Sequence, residues 1–330
     1  MILIAISSVI LAITIDLALG DPKNKFHPTV WIGILIGKLV PLIRNNSPKS
    51  EKLAGVAIVI LVTSLTAMML SSVNAGLNLL EPANYGLGLD IVITILSVVI
   101  MGILLKTTIA IKGMEKHAKL IISALSNNDL DDARTKLSMI VKRDTKSLDQ
   151  QHIISGTLES ISENIVDGIT GPLFYFALFG LPGAFVYRTI NTIDSMVGYK
   201  NEMFRNIGWF GANCDKTLNY IPSRLTSLVM ILAAMILKAD WRHSLKIMRQ
   251  DRSKTESPNA GYPMATLAGA LGVKFEKIDH DVLGDGKLEF TETHFKSAVS
   301  IMKLTAVLFW LIFTIPIITI LSYFGWWLHA

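Results

Sequence analysis

The chain has 330 residues, 51% of them hydrophobic and 17% charged, with a mean hydropathy of +0.48. Soluble domains carry about 25% charged residues, and here apolar blocks alternate with ordinary polar stretches, which excludes a pair of soluble cores and predicts an integral membrane protein. The net charge of +5 comes from Lys and Arg in loops beside apolar segments; no dense basic stripe points to nucleic acid, and the single cysteine, Cys214, excludes an internal disulfide and a cysteine-built zinc site.

A spanning helix needs about 20 mostly apolar residues. Residues 2–19 qualify, and without a basic n-region or a small-residue cleavage site they read as a retained helix. Residues 28–43 are shorter and contain Lys38, so they either span with a snorkelling lysine or lie as a re-entrant segment. Residues 53–73 and 87–110 are strong spans, 223–237 is a moderate one, and 304–324 is strong. The apolar block 171–190 is interrupted by Pro172, Gly180, Pro182 and Gly183, which predicts a broken or re-entrant helix. Broken backbone at membrane depth is tolerated only against protein or a watery cavity.

The stretch 113–130 reads as an amphipathic helix and 131–141 as a second, short one. The segments 112–168 and 241–296 are rich in Lys and Arg, whereas 73–86 has none. The positive-inside rule therefore places the two long loops in the cytoplasm and 73–86 outside. The expected architecture is all-α: one membrane-embedded domain over 1–330, a polytopic helical bundle with long cytoplasmic helical loops and a broken helix, in the cell membrane.

Five constellations carry chemistry. Asp16 lies inside the first apolar block and is followed by Asp21, Pro22, His27 and Pro28; an ionisable group in such a block marks function by default. Glu159, Glu163 and Asp167 are spaced four apart and share a helix face, with Ser160 and Asn164 alongside and Arg143 upstream. Like charges so placed cost helix stability, and a divalent cation gives them a reason; carboxylate-lined sites suit magnesium. Asn191 and Asp194 share a face if their segment is helical, and Lys200 can hold a phosphate. Arg224 opens an apolar helix and either snorkels or grips a carboxylate or phosphate. The run Ser257-Pro258-Asn259-Ala260-Gly261 reads as a turn whose amides, with Ser257 and Asn259, can cradle an anion. Walker, dinucleotide-binding, HExxH and GxSxG motifs are absent, and the histidines form no metal-spaced pair.

In order along the chain, Asp16…Gly20-Asp21-Pro22…His27-Pro28, Arg143-Asp144-Thr145, Glu159-Ser160-x-x-Glu163-Asn164-x-x-Asp167-Gly168, Gly180-x-Pro182-Gly183, Asn191-Thr192-x-Asp194-Ser195-x-x-Gly198-Tyr199-Lys200, Asn219-Tyr220-Ile221-Pro222-x-Arg224 and Ser257-Pro258-Asn259-Ala260-Gly261 resemble the motifs of the CobD/CbiB family, the adenosylcobinamide-phosphate synthases of cobalamin biosynthesis. The resemblance runs from about Asp16 to about Gly284. It implies a ligase that uses ATP to join (R)-1-amino-2-propanol, or its O-phosphate, to the free propionate carboxyl of adenosylcobyric acid as an amide. Under that resemblance Glu159, Glu163 and Asp167 form a magnesium and phosphate-transfer face. Asp194 and Asp21 are further metal or base candidates. Arg143, Lys200 and Arg224 are anion clamps, with His27 and Ser257 beside them, and Asn164, Asn191 and Asn259 hydrogen-bond the corrin side chains or ATP. Two departures stand out: Gly211-Ala212-Asn213-Cys214-Asp215 lacks an arginine that the pattern would carry, and Asp281-Val282 stands where a tyrosine would precede Leu283-Gly284.

Two rival readings remain. A corrinoid transporter or binding subunit would place ionisable groups at mid-membrane in paired broken helices, and no inverted repeat is visible. A phosphotransferase of the CDP-alcohol type would continue differently after Asp167-Gly168 than with Ile169-Thr170-Gly171.

Overall fold

The computed structural model describes residues 2–326 apart from 44–46, 80–85, 142, 200, 279–280 and 289–290. In chain order the helices are α1 (Ile2–Leu19), α2 (Pro28–Ile43), α3 (Pro48–Leu79), α4 (Leu87–Lys106), α5 (Ile111–Ser126), α6 (Leu130–Ser138), α7 (Gln150–Ile165), α8 (Gly171–Val197), α9 (Trp209–Leu218), α10 (Tyr220–Ile236), α11 (Trp241–Asp251), α12 (Pro258–Leu271), α13 (Glu292–Phe309) and α14 (Ile315–Tyr323). A short hairpin, β1 (Phe275–Glu276) with β2 (Val282–Leu283), is the one sheet among the described residues. Five helical segments are long and apolar enough to cross a membrane: α1, α3, and one each within Leu87–Ser126, Gln150–Val197 and Glu292–Tyr323. Trp209–Leu218 and Tyr220–Ile236 meet that test only when taken together. The protein is an all-α, multi-pass membrane protein.

The chain divides into two compact units, each discontinuous in sequence. The first comprises residues 1–110, 171–218 and 310–330. Its helices carry exposed apolar side chains, such as Leu61, Leu65 and Met68 on α3 and Ile91, Ile95 and Ile103 on α4. Lipid is as apolar as leucine, so burial alone does not drive such helices together; close packing on small residues does. Gly102 receives Leu11, whose Cδ2 would stand 2.8 Å from an added Cβ, and Gly55 lies so near Ile207 that a Cβ would meet its carbonyl at 2.2 Å. Around these contacts Ile36, Val40, Ile58, Val59, Val62, Ile193, Val197 and Ile207 form the interior.

The helix predicted to break does so. Within α8, Gly180 adopts φ 62°, ψ −154°, a conformation almost confined to glycine, and Pro182 follows it. Two helical pieces meet there at a kink. The segment 28–43 is one short apolar helix of 16 residues with Pro41 inside it. The span predicted over 53–73 runs further, to Leu79, so part of the loop assigned to 73–86 is helical; its residues 80–85 lie outside the described ones.

The second unit comprises residues 111–170 and 219–309, so the two long polar loops fold as one body. The predicted amphipathic helix ends at Ser126 rather than at 130. Asn128 takes a left-handed φ of 59°, and Asp129 then caps α6 by accepting a hydrogen bond from the Asp132 amide at 2.9 Å. The run from Ser257 to Gly261 is not a free turn: α12 starts at Pro258, because proline suits the first helical position. Gly272, at φ 66°, ends that helix. Helices α11 and α12 approach so closely that a Cβ on Gly269 would stand 2.7 Å from Ser244 Cα, and the Ser244 hydroxyl donates to the Thr266 carbonyl at 2.7 Å.

Candidate functional site

Helix α7 and the π-helical turn Val166–Thr170 after it form the centre of the second unit. From Ile153 to Thr170 every residue is buried except Glu159, Glu163, Asn164 and Asp167. These four are the three predicted acids and Asn164, with Glu163 the most open of them, whereas Ser160, predicted alongside, is buried. The wider π turn, a form that recurs at functional sites, carries Asp167, and Thr170 Oγ1 donates to the Ile165 carbonyl at 3.0 Å across it. An added Cβ on Gly168 would lie 2.3 Å from Asn164 Oδ1, so the glycine makes room for that amide.

Arg143 closes one end of the face. Its two terminal nitrogens approach the two Glu159 oxygens, each at 3.3 Å. Ser155 Oγ donates to Glu159 Oε1 at 2.8 Å and accepts from the Glu276 amide at 2.9 Å, which ties the β-hairpin to α7. Both charged side chains are about seven-eighths buried. Arg143 packs over Gly156, where a Cβ would stand 2.4 Å from Nη2, so a side chain there would displace the guanidinium. At the other end Asp167 Oδ1 accepts from Asn219 Nδ2 at 3.2 Å.

A second arrangement in this unit surrounds Arg224. Its guanidinium lies 3.6 Å from the Tyr220 ring centre and 4.5 Å from that of Tyr262, and its Nη1 donates to Asn259 Oδ1 at 3.3 Å. Arg252 lies 5.5 Å from the Tyr262 ring. Arginine here stacks as well as hydrogen-bonds, which lysine would do poorly. Asn259 is buried and Ser257 is exposed at the N-cap of α12.

The other predicted residues belong to the first unit. Lys106 Nζ stands 3.2 Å from Asp16 Oδ1 and 2.6 Å from Asp21 Oδ1. His27 Nε2 is 3.7 Å from Asp21 Oδ1, and His27 Nδ1 shares a hydrogen with Thr29 Oγ1 at 2.5 Å. Burial raises the Asp21 carboxyl, but hydrogen bonds and charge from His27 and Lys106 outweigh it and pull its pKa down to about 2. Because the folded value lies below the ordinary 3.8, the contribution to stability is complete above about pH 4 and is lost as pH falls towards 2. Thermal unfolding in detergent should therefore show a midpoint that drops between pH 4 and pH 2, with a smaller drop in Asp21→Asn; equal drops would remove Asp21 from that account. Along α8, Arg188 Nη1 donates to Asn191 Oδ1 and Asn191 Nδ2 donates to Asp215 Oδ1, both at 3.3 Å. Asp194 packs over Gly198, where a Cβ would meet its Oδ1 at 2.1 Å. Lys200 lies outside the described residues.

Among the described residues no three His, Cys, Asp or Glu side chains gather as a metal site. Glu159, Glu163 and Asp167, the expected magnesium and phosphate-transfer face, lie along one stretch of the chain with Glu163 the most open of them. Arg143 and Ser155 hold the Glu159 carboxylate, and Asn219 donates to that of Asp167.

The CobD/Cbib protein model matches residues 9–302. The chain belongs to the CobD/CbiB family. It is 39% identical over 304 residues to a protein of Methanothermobacter thermautotrophicus named "Probable cobalamin biosynthesis protein CobD", covering 92% of this chain and 95% of that one. It is 34% identical to "Cobalamin biosynthesis protein CobD" of Clostridium perfringens, over 84% and 87% of the two chains. The protein of the same name from Leptospira interrogans is 38% identical, over 90% and 93%. No solved structure matches.

Both departures from the family pattern have a place in the fold. Asp215, in the segment without the arginine, accepts from Asn191, and Val282 forms the hairpin strand that pairs with β1. Sequence reasoning missed Lys106, Ser155, Tyr262 and Arg252. Lys106 had a signal, a lone cation closing an apolar segment, which invites a search for its counter-ion. The others are ordinary residue types at unremarkable positions.

Proposed function

We propose that this protein is a membrane enzyme of cobalamin biosynthesis that joins an amino alcohol, (R)-1-amino-2-propanol or its O-phosphate, to a propionate carboxyl of adenosylcobyric acid. The observation that carries this reading is the pairing of a nearly full-length family match with a central stretch, 153–170, that is buried except at Glu159, Glu163, Asn164 and Asp167. The chemistry is that of a carboxylate made reactive. The propionate oxygen attacks the terminal phosphorus of ATP, ADP leaves, and the amine nitrogen then attacks the acyl phosphate carbon and expels phosphate.

In this scheme Arg224, stacked between two tyrosines, is the anion clamp, and Asn259 orients it. Glu159 holds Arg143 rather than touching substrate. Glu163 and Asp167 face the reacting groups. Magnesium is usually held by one or two carboxylates together with substrate phosphates; Glu163 and Asp167 fit that set better than an all-protein cage. When bound, the ion neutralises phosphate charge.

The deciding assay combines purified protein in detergent with adenosylcobyric acid, either amino alcohol, and magnesium with ATP present or absent. The expected result is an ATP-dependent corrinoid product whose mass gain equals the amino alcohol less one water. No new corrinoid under any combination would overturn the reading in favour of a transporter or a binding subunit.

A further inference from the structure

The Arg224 guanidinium is fixed through one of its nitrogens and open at the other two. Its central carbon stacks 3.6 Å from the Tyr220 ring centre and 4.5 Å from that of Tyr262. Its hydrogen bonds to described residues all leave from Nη1, to the Tyr220 carbonyl, to Asn259 Oδ1 at 3.3 Å and to Ser223 Oγ at 3.4 Å. Nε and Nη2 have no partner among the described residues and are not sealed from solvent. That pair of nitrogens is the edge with which a guanidinium grips an oxyanion through two parallel hydrogen bonds. Stacking and the Nη1 contacts set its direction before a ligand arrives, so little rotamer freedom remains to be lost on binding.

A second guanidinium meets the same ring. Arg252 lies 5.5 Å from the centre of Tyr262. Its backbone is pinned to the first turn of α12, since a Cβ on Gly261 would stand 2.2 Å from the Arg252 carbonyl oxygen. Its side chain is exposed. Among the described residues neither arginine pairs with a carboxylate. The adjacent acid, Asp251, is buried and is held by Lys254 and by the Gly284 amide, and Glu256 pairs with neither guanidinium. Two positive charges brought to one ring repel each other, and an anion between them turns that repulsion into attraction. Ser257, at the N-cap of the same helix, caps no backbone amide with its hydroxyl, which leaves a donor where the helix dipole favours negative charge.

We propose that Arg252 is the second arm of the anion site. The Nε and Nη2 edge of Arg224 takes two oxygens of a phosphate dianion, and Arg252 answers its second charge. The site then selects a doubly charged phosphate over a singly charged carboxylate. The inference rests on the proposed function only in taking Arg224 as the anion clamp. The terminal phosphate of ATP and a phosphate ester on the amino alcohol share this chemistry, and the kinetic arms below separate them.

The test uses the full chain in detergent at constant ionic strength, with inorganic phosphate and acetate as probes. Wild type, Arg252→Gln and Arg224→Lys are compared by the ligand-dependent rise in unfolding temperature. Phosphate should stabilise wild type and acetate should not, and the phosphate effect should fade below about pH 6, where a phosphate monoester regains its second proton. Arg252→Gln should need about tenfold more phosphate and show a flatter pH dependence, which loss of a merely structural arginine would not give. Arg224→Lys keeps the charge but loses the two-nitrogen edge, and should weaken phosphate by a similar factor. In the amide-forming assay, a KM raised in Arg252→Gln for ATP alone assigns the site to ATP, and one raised for 1-amino-2-propanol O-phosphate alone assigns it to the ester. An equal phosphate response in wild type and Arg252→Gln, or no preference for phosphate over acetate in wild type, would overturn the proposal. A preference that depends on Arg252, without any corrinoid product, would leave the anion site standing and remove the ligase reading. Product formed by Arg252→Gln with both KM values unchanged would remove the second arm and leave the ligase reading intact.

Discussion

Glu163→Gln should lower the rate of amide formation by about a hundredfold or more, the range lost when a charged group acting in the transition state is neutralised. The same substitution should leave the unfolding temperature nearly unchanged. Glu163 is the exposed residue of an otherwise buried stretch, and exposed isosteric changes usually cost less than about 0.5 kcal/mol. The separation of the two effects is what makes the variant informative. Turnover measured beside thermal unfolding in detergent checks it: full activity would remove Glu163 from the reacting face, and a large loss of stability would make it a structural residue. Asp167→Asn is the companion probe: its amide oxygen can still accept from Asn219, so the variant removes the charge and keeps that hydrogen bond.

The face around Glu163 was legible because it follows helical periodicity. Residues four apart meet on one side whatever the tertiary context, so Glu159, Glu163 and Asp167 could be placed together from spacing alone. Their partners could not. Arg143 precedes Glu159 by 16 residues, with the cap of α7 between them, and Ser155 looks like any small polar residue until the hairpin amide of Glu276 is seen to donate to it. Three acids on one face were visible in the sequence, and the guanidinium paired with the first of them was not. The spans were legible from hydropathy, and the break at Gly180 from its flanking prolines and glycines, since only glycine tolerates its φ of 62° with that ψ. Two boundaries were missed where a single residue decided. The left-handed Asn128 ended α5 early, and Pro258 started α12 inside what composition marked as a turn. The gathering of 111–170 with 219–309 as one compact unit has no local signature at all.

Arg143→Ala should produce the largest loss of stability of any single change at the site, about 3–5 kcal/mol, the cost of leaving the partner of a buried ion pair uncompensated. Glu159 is 13% exposed, and among the described residues its ion pair is with Arg143. Glu159→Gln should cost less, because the glutamine amide oxygen can still accept from Ser155 and Arg143. The double variant Arg143→Ala/Glu159→Gln should then recover part of what Arg143→Ala loses, by about 1–3 kcal/mol, since contacting charged residues couple. Denaturant unfolding of the four proteins in one detergent closes the cycle. Additive losses would mean that the two side chains do not stabilise each other. Gly156→Ala offers an independent approach to the same pair from the opposite side, for it alters neither charge yet sets a methyl 2.4 Å from Arg143 Nη2. If the pair is what holds the acidic face in shape, this added methyl should lower both stability and turnover, whereas Glu163→Gln lowers turnover alone, and that contrast distinguishes the residues that build the face from the one that uses it.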